Sequence, residues 1–338
     1  MTAHYARTAL NTVIVGLAGA TLATASFNAL AAQTVSVGHT TSDNSHYSVG
    51  VDAFKKTLEK LSDGEFVVEE YPSGALGGER AMIEGLQIGT IDTVITSTGP
   101  LGNFVPETYV LDLPFLFANY DQARCVLDGP VGQDLLDKIG ENNLVGLAWT
   151  ENGFRHLTNN VRPVKTPEDA AGLKIRTMEN KMHMAAFEEM GVRPTPMAFP
   201  ELFTALQQGT VDGQENPISV ILTSNLWEVQ DYLSLTGHVY SPAVMLASPV
   251  LWDGLSEEEK GWFKQAAKAG AEATRAEVSR LETEGVEALK EKGVEVVENI
   301  DKSQFQQAVE PSYSVYTDQY GSKMLDRIRN SECLASSN

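Results

Sequence analysis

The sequence predicts an α/β fold built on largely parallel sheets. Short strand-like runs alternate with segments of helical period along most of the chain, the pattern that produces parallel strands covered by helices. The chain has 338 residues, 42% of them hydrophobic, enough for one or two domains with proper cores. Charged residues make up 21% and no low-complexity tract interrupts the pattern, so the composition is that of a folded protein. In such sheets ligands bind beyond the carboxyl ends of the strands.

The first element is a leader. Residues 1–7 carry one positive charge and no acid, and residues 8–32 are small and apolar through Val13, Ile14, Val15 and Leu17. The run ends in Ala29-Leu30-Ala31, the small-x-small pattern of a signal-peptidase site. Residues 1–31 therefore read as a secretory signal that is removed. A retained anchor is the competing reading, and Asn11, Asn28 and the many Thr, Ser and Gly residues make the stretch weakly hydrophobic for one. Export would place the mature protein in the periplasm. It would also put Cys125 and Cys333 in an oxidising compartment, where they either pair and tie the tail to the body or remain two thiols.

Beyond the leader, residues 34–38 alternate like a strand, and helical spacing follows through Val51, Phe54, Leu58 and Leu61. Phe66-Val67-Val68 leads into a turn at residues 71–74; residues 81–88 are helical, closing at Gly89, and 91–95 form a short apolar strand. Residues 144–149, 173–176 and 294–297 repeat the strand signal. Ser256 opens a different segment, with Ser256 and Glu259 at capping-box spacing. No proline occurs from there to Lys292, and a continuous helix of that length spans on the order of 50 Å. It exceeds one small domain and predicts a helix crossing two lobes, with Gly261, Gly270 and Gly285 as points where it bends or breaks. The apolar positions do not sustain heptads, so a dimerising coiled coil is not indicated and a monomer is expected.

The net charge of −20 and pI of about 4.7 argue against nucleic acid, whose phosphates would be repelled. The sequence has no Walker loop, no G-x-G-x-x-G, no H-E-x-x-H and no G-x-S-x-G, and its six histidines show no metal-ligand spacing. Neither a cofactor nor a metal is expected. The informative stretch is residues 151–217. Arg155 follows Asn152-Gly153-Phe154 after a strand, Arg176 ends a strand, and Asn216 sits in a turn-rich stretch suited to presenting a side-chain amide. A guanidinium offers a planar fork of donors that matches a carboxylate, which lysine cannot reproduce. Two arginines and an amide are thus candidates to fix one carboxylate. His39 and His46 bracket a polar loop after the first strand, where an open α/β sheet places ligand contacts.

The runs 172–177, 194–199 and 206–217 are similar to the DctP-type solute receptors of tripartite ATP-independent periplasmic (TRAP) transporters. The first reads Gly172-Leu173-Lys174-Ile175-Arg176-Thr177 and the last ends Gly213-Gln214-Glu215-Asn216-Pro217. Residues 71–80 and Trp227-Glu228-Val229-Gln230 add to a likeness that covers nearly the whole mature chain. The resemblance implies two α/β lobes, a hinge and a long helix spanning both. Lobe I would hold residues 32–152 and 242–281, lobe II 153–241 and 282–330, and 331–338 would be a tail. It implies a non-catalytic receptor that closes on a small organic carboxylate (a sugar acid, a hydroxy or keto acid, or a dicarboxylate) and delivers it to the TRAP membrane subunits.

Carried over by position, Arg176 matches the main carboxylate-pairing arginine, Arg155 a second one, Asn216 the asparagine beside it and Phe199 an aromatic that packs on the ligand. Glu79 matches an acidic position that meets hydroxyl or amino groups, and Ser97 stands where some relatives have an acid. His39 and Asp43 suit ligand hydroxyls, and Trp149 and Tyr240 are either pocket walls or core. Two other readings remain: an enzyme using Glu79 or His39 as base, and a sensor subunit presenting its ligand to a signalling protein.

Overall fold

Two strands of unusual length organise the molecule. The computed structural model describes residues 32–335; the segment read as a leader, residues 1–31, lies outside them. The strands are β1 Gln33–Gly38, β2 Phe66–Tyr71, β3 Thr93–Ser97, β4 Val145–Asn159, β5 Lys174–Thr177, β6 Arg193–Pro196, β7 Gly213–Pro217, β8 Tyr232–Ala247 and β9 Glu295–Val297. They form one sheet in the order β2-β1-β3-β8-β4-β7-β5-β6, with β9 beside β8. The trios β2-β1-β3 and β7-β5-β6 are parallel, as the alternating pattern predicts. The centre is not: β8 runs antiparallel to β3 and to β4, and β4 antiparallel to β7. At 15 and 16 residues, β4 and β8 each span about 50 Å, so they pass through both half-sheets and join them.

Each half carries its own cores. Period-two alternation along β3 and β8 sends Val94, Val244 and Leu246 into one cluster and Ile95, Met245 and Ala247 into another on the opposite face. The second half is packed by a cluster around Leu157, Ile175 and Phe187 and another around Leu202, Ile218 and Leu233. Two lobes result, joined by β4, β8 and the long helix.

That helix, Glu257–Glu291, is a single element of 35 residues, and Ser256 and Glu259 make the capping box read from the sequence. Its N-terminal part buries Phe263, Ala266 and Ala267 in the first half, and Leu289 packs in the second. The glycines expected to bend or break it do not break it. At Gly270 a Cβ would come within 2.9 Å of the Gly50 carbonyl oxygen, so this glycine allows helix His46–Leu61 to approach closely. No helix among the described residues is long and apolar enough to cross a membrane.

One expectation is corrected. Residues 213–217 form β7, a fully buried strand rather than a turn: Gln214 and Glu215 are polar because they bond to Thr158 and Arg155 inside the sheet, not because they meet water. Helix Lys302–Val309 packs in the second half through Phe305 and Val309, but Tyr316, Leu325 and Ile328 return to the first-half core. Cys333 is disulfide-bonded to Cys125 and packs against that core, so the described part of the segment read as a tail, residues 331–335, is anchored.

Gly153 marks where β4 passes from one half to the other. Its φ is 120°, and the β4–β8 register shifts between Glu151 and Gly153 and again between Arg155 and Leu157. A Cβ there would sit 3.1 Å from the Tyr120 hydroxyl and 3.2 Å from Pro217 Cβ. Gly153→Ala is expected to cost about 1–3 kcal/mol through backbone strain, measured as a shift of the urea unfolding midpoint.

Candidate ligand-binding site

The strand ends of the two halves converge on a small cavity of about 20 Å³. β5 delivers Arg176 and β7 delivers Asn216; from the facing half come Ser97 at the end of β3, Glu79 in the first turn of helix Glu79–Ile88, and Tyr47 from helix His46–Leu61. The halves touch across the cleft. Ser42 Oγ donates to the Thr223 carbonyl (3.0 Å), Asn103 Nδ2 to the Glu179 carbonyl (2.7 Å) and Asn180 Nδ2 to Asp112 Oδ2 (3.0 Å). This is a closed arrangement.

Arg176 is 1% exposed. Its Nε and Nη2 both donate to the Met197 carbonyl, at 3.0 and 2.7 Å, and its guanidinium carbon lies 5.8 Å from the centre of the Phe199 ring. Nη1 is buried with no acceptor among the described residues. Burial lowers its pKa to about 10, so the group is still a cation at neutral pH. A buried cation with a free donor is costly unless an anion meets it.

Arg155 is buried within β4, not after a strand as its neighbours suggest, and it is already paired through Nε and Nη2, while its Nη1, like that of Arg176, is buried with no partner among the described residues. Nε donates to Glu215 Oε2, and Nη2 donates to Glu215 Oε1 (2.9 Å), to the Glu215 carbonyl (2.6 Å) and to Asn216 Oδ1 (3.1 Å). His238 Nε2 lies 3.2 Å from Glu215 Oε2. Burial pushes the Glu215 carboxyl up, but the Arg155 charge and the His238 contact outweigh it and hold it well below the usual carboxylate range. Because Asn216 Oδ1 accepts from Arg155, its Nδ2 is the free end; it donates to Gln214 Oε1 (2.5 Å) and keeps a second hydrogen for another acceptor. Arg155 therefore orients the amide that lines the cavity.

At the other end Glu79 Oε1 accepts from Ser97 N (2.7 Å), Ser97 Oγ (2.5 Å) and Thr96 Oγ1 (3.1 Å), which fixes the carboxylate and leaves Oε2 unoccupied by these donors. Tyr47 OH is buried without a partner among the described residues, and burial raises its pKa, so it is a neutral donor. Among the described residues lining the cavity, Arg176 is the one cation and Glu79 the one anion.

Four expected contacts lie elsewhere. His39 is buried behind the cavity, with Nε2 2.8 Å from Glu70 Oε1 and Nδ1 3.1 Å from Thr41 Oγ1; its loop lines the cavity through Thr40 and Thr41 instead. Asp43 is exposed on the outer side of that loop. Trp149 donates its indole N–H to the Gly132 carbonyl (2.9 Å), and Tyr240 donates to Glu151 Oε2 (2.9 Å); both belong to the first-half core. Their size and apolarity made them candidates, and these properties serve packing. Tyr47 and Asn152 line the cavity without having been singled out as contacts, although Tyr47 adjoins His46 and Asn152 stands in the run before Arg155. His46 Nε2 lies 3.1 Å from Asn152 Oδ1, and burial lowers the His46 pKa to about 4, so a neutral ring steadies that amide.

The model for the DctP family, bacterial extracellular solute-binding proteins of family 7, matches residues 37–319. The chain belongs to this family. Among solved structures, a TRAP periplasmic solute-binding protein from a Polaromonas species, bound to D-erythronate, is 53% identical, with a TM-score of 0.87 over 89% of this chain and 99% of that one. A solute-binding protein of Verminephrobacter eiseniae is 47% identical over 304 residues, 90% of this chain and 91% of its own. The 2,3-diketo-L-gulonate-binding periplasmic protein of Escherichia coli is 37% identical over 300 residues, 89% and 92%. The likeness read from the sequence over nearly the whole mature chain thus holds over residues 37–319.

Proposed function

We propose that this DctP-family protein is a non-catalytic periplasmic receptor that closes on a hydroxylated monocarboxylate and presents it to TRAP membrane subunits. The observation that carries the reading is the buried Arg176 Nη1, a charged donor without an acceptor among the described residues. A ligand carboxylate taking one hydrogen bond from Nη1 and one from Asn216 Nδ2 supplies the missing anion, and Arg155 contributes by holding Asn216. Phe199 covers the ligand carbons. Glu79 Oε2, Tyr47 and Asn152 meet hydroxyls at the far end. The relatives that bind D-erythronate and 2,3-diketo-L-gulonate support a sugar acid.

A second ligand carboxylate fits poorly, because the far end offers the Glu79 anion and neutral groups but no cation. The assignment of lobes follows the packing: residues 32–152, about 242–281 and 313–335 move as one body, and about 153–241 with 282–309 as the other. Export rests on the leader at residues 1–31.

Calorimetric titration with D-erythronate and with meso-tartrate, which differ at one terminal carbon, tests the reading. D-erythronate is expected to bind at least about tenfold tighter, ~1.4 kcal/mol, and to be recovered unchanged. Glu79→Gln should narrow the preference. Equal affinity for meso-tartrate would sink the monocarboxylate reading, and turnover would sink the receptor reading.

A further inference from the structure

A second cavity, of about 500 Å³, lies behind the hinge. Phe154 and His156 of β4 line it, while the intervening Arg155 turns to Glu215 and Asn216. Its walls come from both lobes: Phe117 and Tyr120 from the first, His156 and Lys302 from the second, with Glu282 of the long helix between them. Motion of one lobe on the other must change this cavity.

Glu282 is tied to the hinge itself. Tyr120 OH accepts the Phe154 amide N–H (3.2 Å), one residue past the Gly153 irregularity, and is hydrogen-bonded to the Glu282 carboxyl. Glu282 Oε1 is buried and has no hydrogen-bond partner among the described residues. An ionised carboxylate with one unsolvated oxygen is unfavourable, whereas a protonated carboxyl carries no charge to desolvate.

We infer that Glu282 is a proton-linked latch at the back of the hinge: closure of the lobes takes up a proton on this carboxyl, and acid strengthens ligand binding. The inference rests on the closure reading above. The groups around Glu282 favour the same sign. Glu151 on β4 is a buried carboxylate held by Arg124 (2.6 Å) and Tyr240 (2.9 Å), and its charge repels a second anion. Lys302 on helix Lys302–Val309 is the opposing cation. His156 accepts the Gly237 N–H at Nδ1 (3.0 Å), and burial lowers its pKa to about 3, so it is neutral and compensates nothing. Tyr120 is neutral, and its hydrogen bond favours the carboxylate. Desolvation by burial wins, with Glu151 adding to it, and the Glu282 pKa rises to about 7.

The sign follows by linkage. A group that binds its proton more tightly in the closed form draws the equilibrium toward closure as pH falls through the closed-form pKa. If opening returns Glu282 to an ordinary value of about 4.3, affinity should rise about eightfold between pH 7.5 and pH 6.

The test is titration of the wild type and Glu282→Gln with D-erythronate across that range. The amide cannot ionise, so Glu282→Gln should bind at pH 7.5 with the affinity that the wild type reaches in acid, and should lose the wild-type pH dependence. Any part of the profile belonging to the buried histidines persists in the variant and is subtracted. An unchanged profile in Glu282→Gln overturns the inference. If that variant does not fold, Tyr120→Phe decides: losing a hydrogen bond that favours the carboxylate should move the wild-type midpoint to higher pH, and an unmoved midpoint overturns the inference. Absence of binding at every pH would instead bring down the receptor reading, and this inference with it.

Discussion

Arg176→Ala is expected to abolish tight carboxylate binding, weakening it by roughly 3–5 kcal/mol, or about two to three and a half orders of magnitude in Kd, the cost of removing one partner from a buried ion pair. Two of the arginine's donors are committed to the Met197 carbonyl, so the side chain is pinned before any ligand arrives. The remaining Nη1 points its charge where water is excluded. Arg176→Lys separates charge from geometry. Lysine restores a cation, but it cannot hold Met197 and the ligand through one rigid fork, so it should recover only part of the loss. Calorimetric titration reads both. Unchanged affinity in Arg176→Ala would remove the proposed role outright.

The second large effect is on stability. Glu215→Ala should destabilise the fold by about 3–5 kcal/mol, a large part of the 5–15 kcal/mol that holds a domain together. Its carboxylate serves Arg155 and contacts His238, and its charge also favours the cationic form of nearby Arg176. Removing it leaves two buried guanidinium groups uncompensated. Because the folded pKa of Glu215 is held below its unfolded value, its stabilisation is fully present above about pH 4.3 and is lost as pH falls through the depressed folded pKa. Urea unfolding at pH 7 and pH 4 should therefore show the wild-type advantage over Glu215→Ala shrinking on the acid side. A midpoint unaffected by the substitution would mean that Arg155 finds other compensation.

Glu215 also shows why the site was only partly legible. Residues 211–217 read as turn-rich because glycine, acid and amide residues cluster there, and local composition cannot tell a solvated turn from a polar strand. What makes β7 a strand is pairing with β4 and β5, contacts made over long sequence separations. Trp149 and Tyr240 failed as pocket walls for the complementary reason. A large aromatic fits a cavity wall and a core equally well in sequence, and only the position of its polar atom relative to Gly132 or Glu151 decides between them.

Local signals carried the rest. The Ser256–Glu259 capping box and the proline-free run behind it specify a long helix from within its own sequence, and the parallel trios follow from alternating short strands and helices. The strand-end position of Arg176 is equally local. By itself, then, the sequence determined the leader pattern, the α/β class and the spanning helix, and it singled out Arg176 as the arginine proposed to pair with a carboxylate. Tertiary structure alone decided that Arg155 is spent on Glu215, that the C-terminal segment returns to the first lobe, and that Glu282 lies against the hinge. Each of these depends on desolvation and on partners distant in the chain, and a charge acquires its cost and its role only once the fold has removed water from around it.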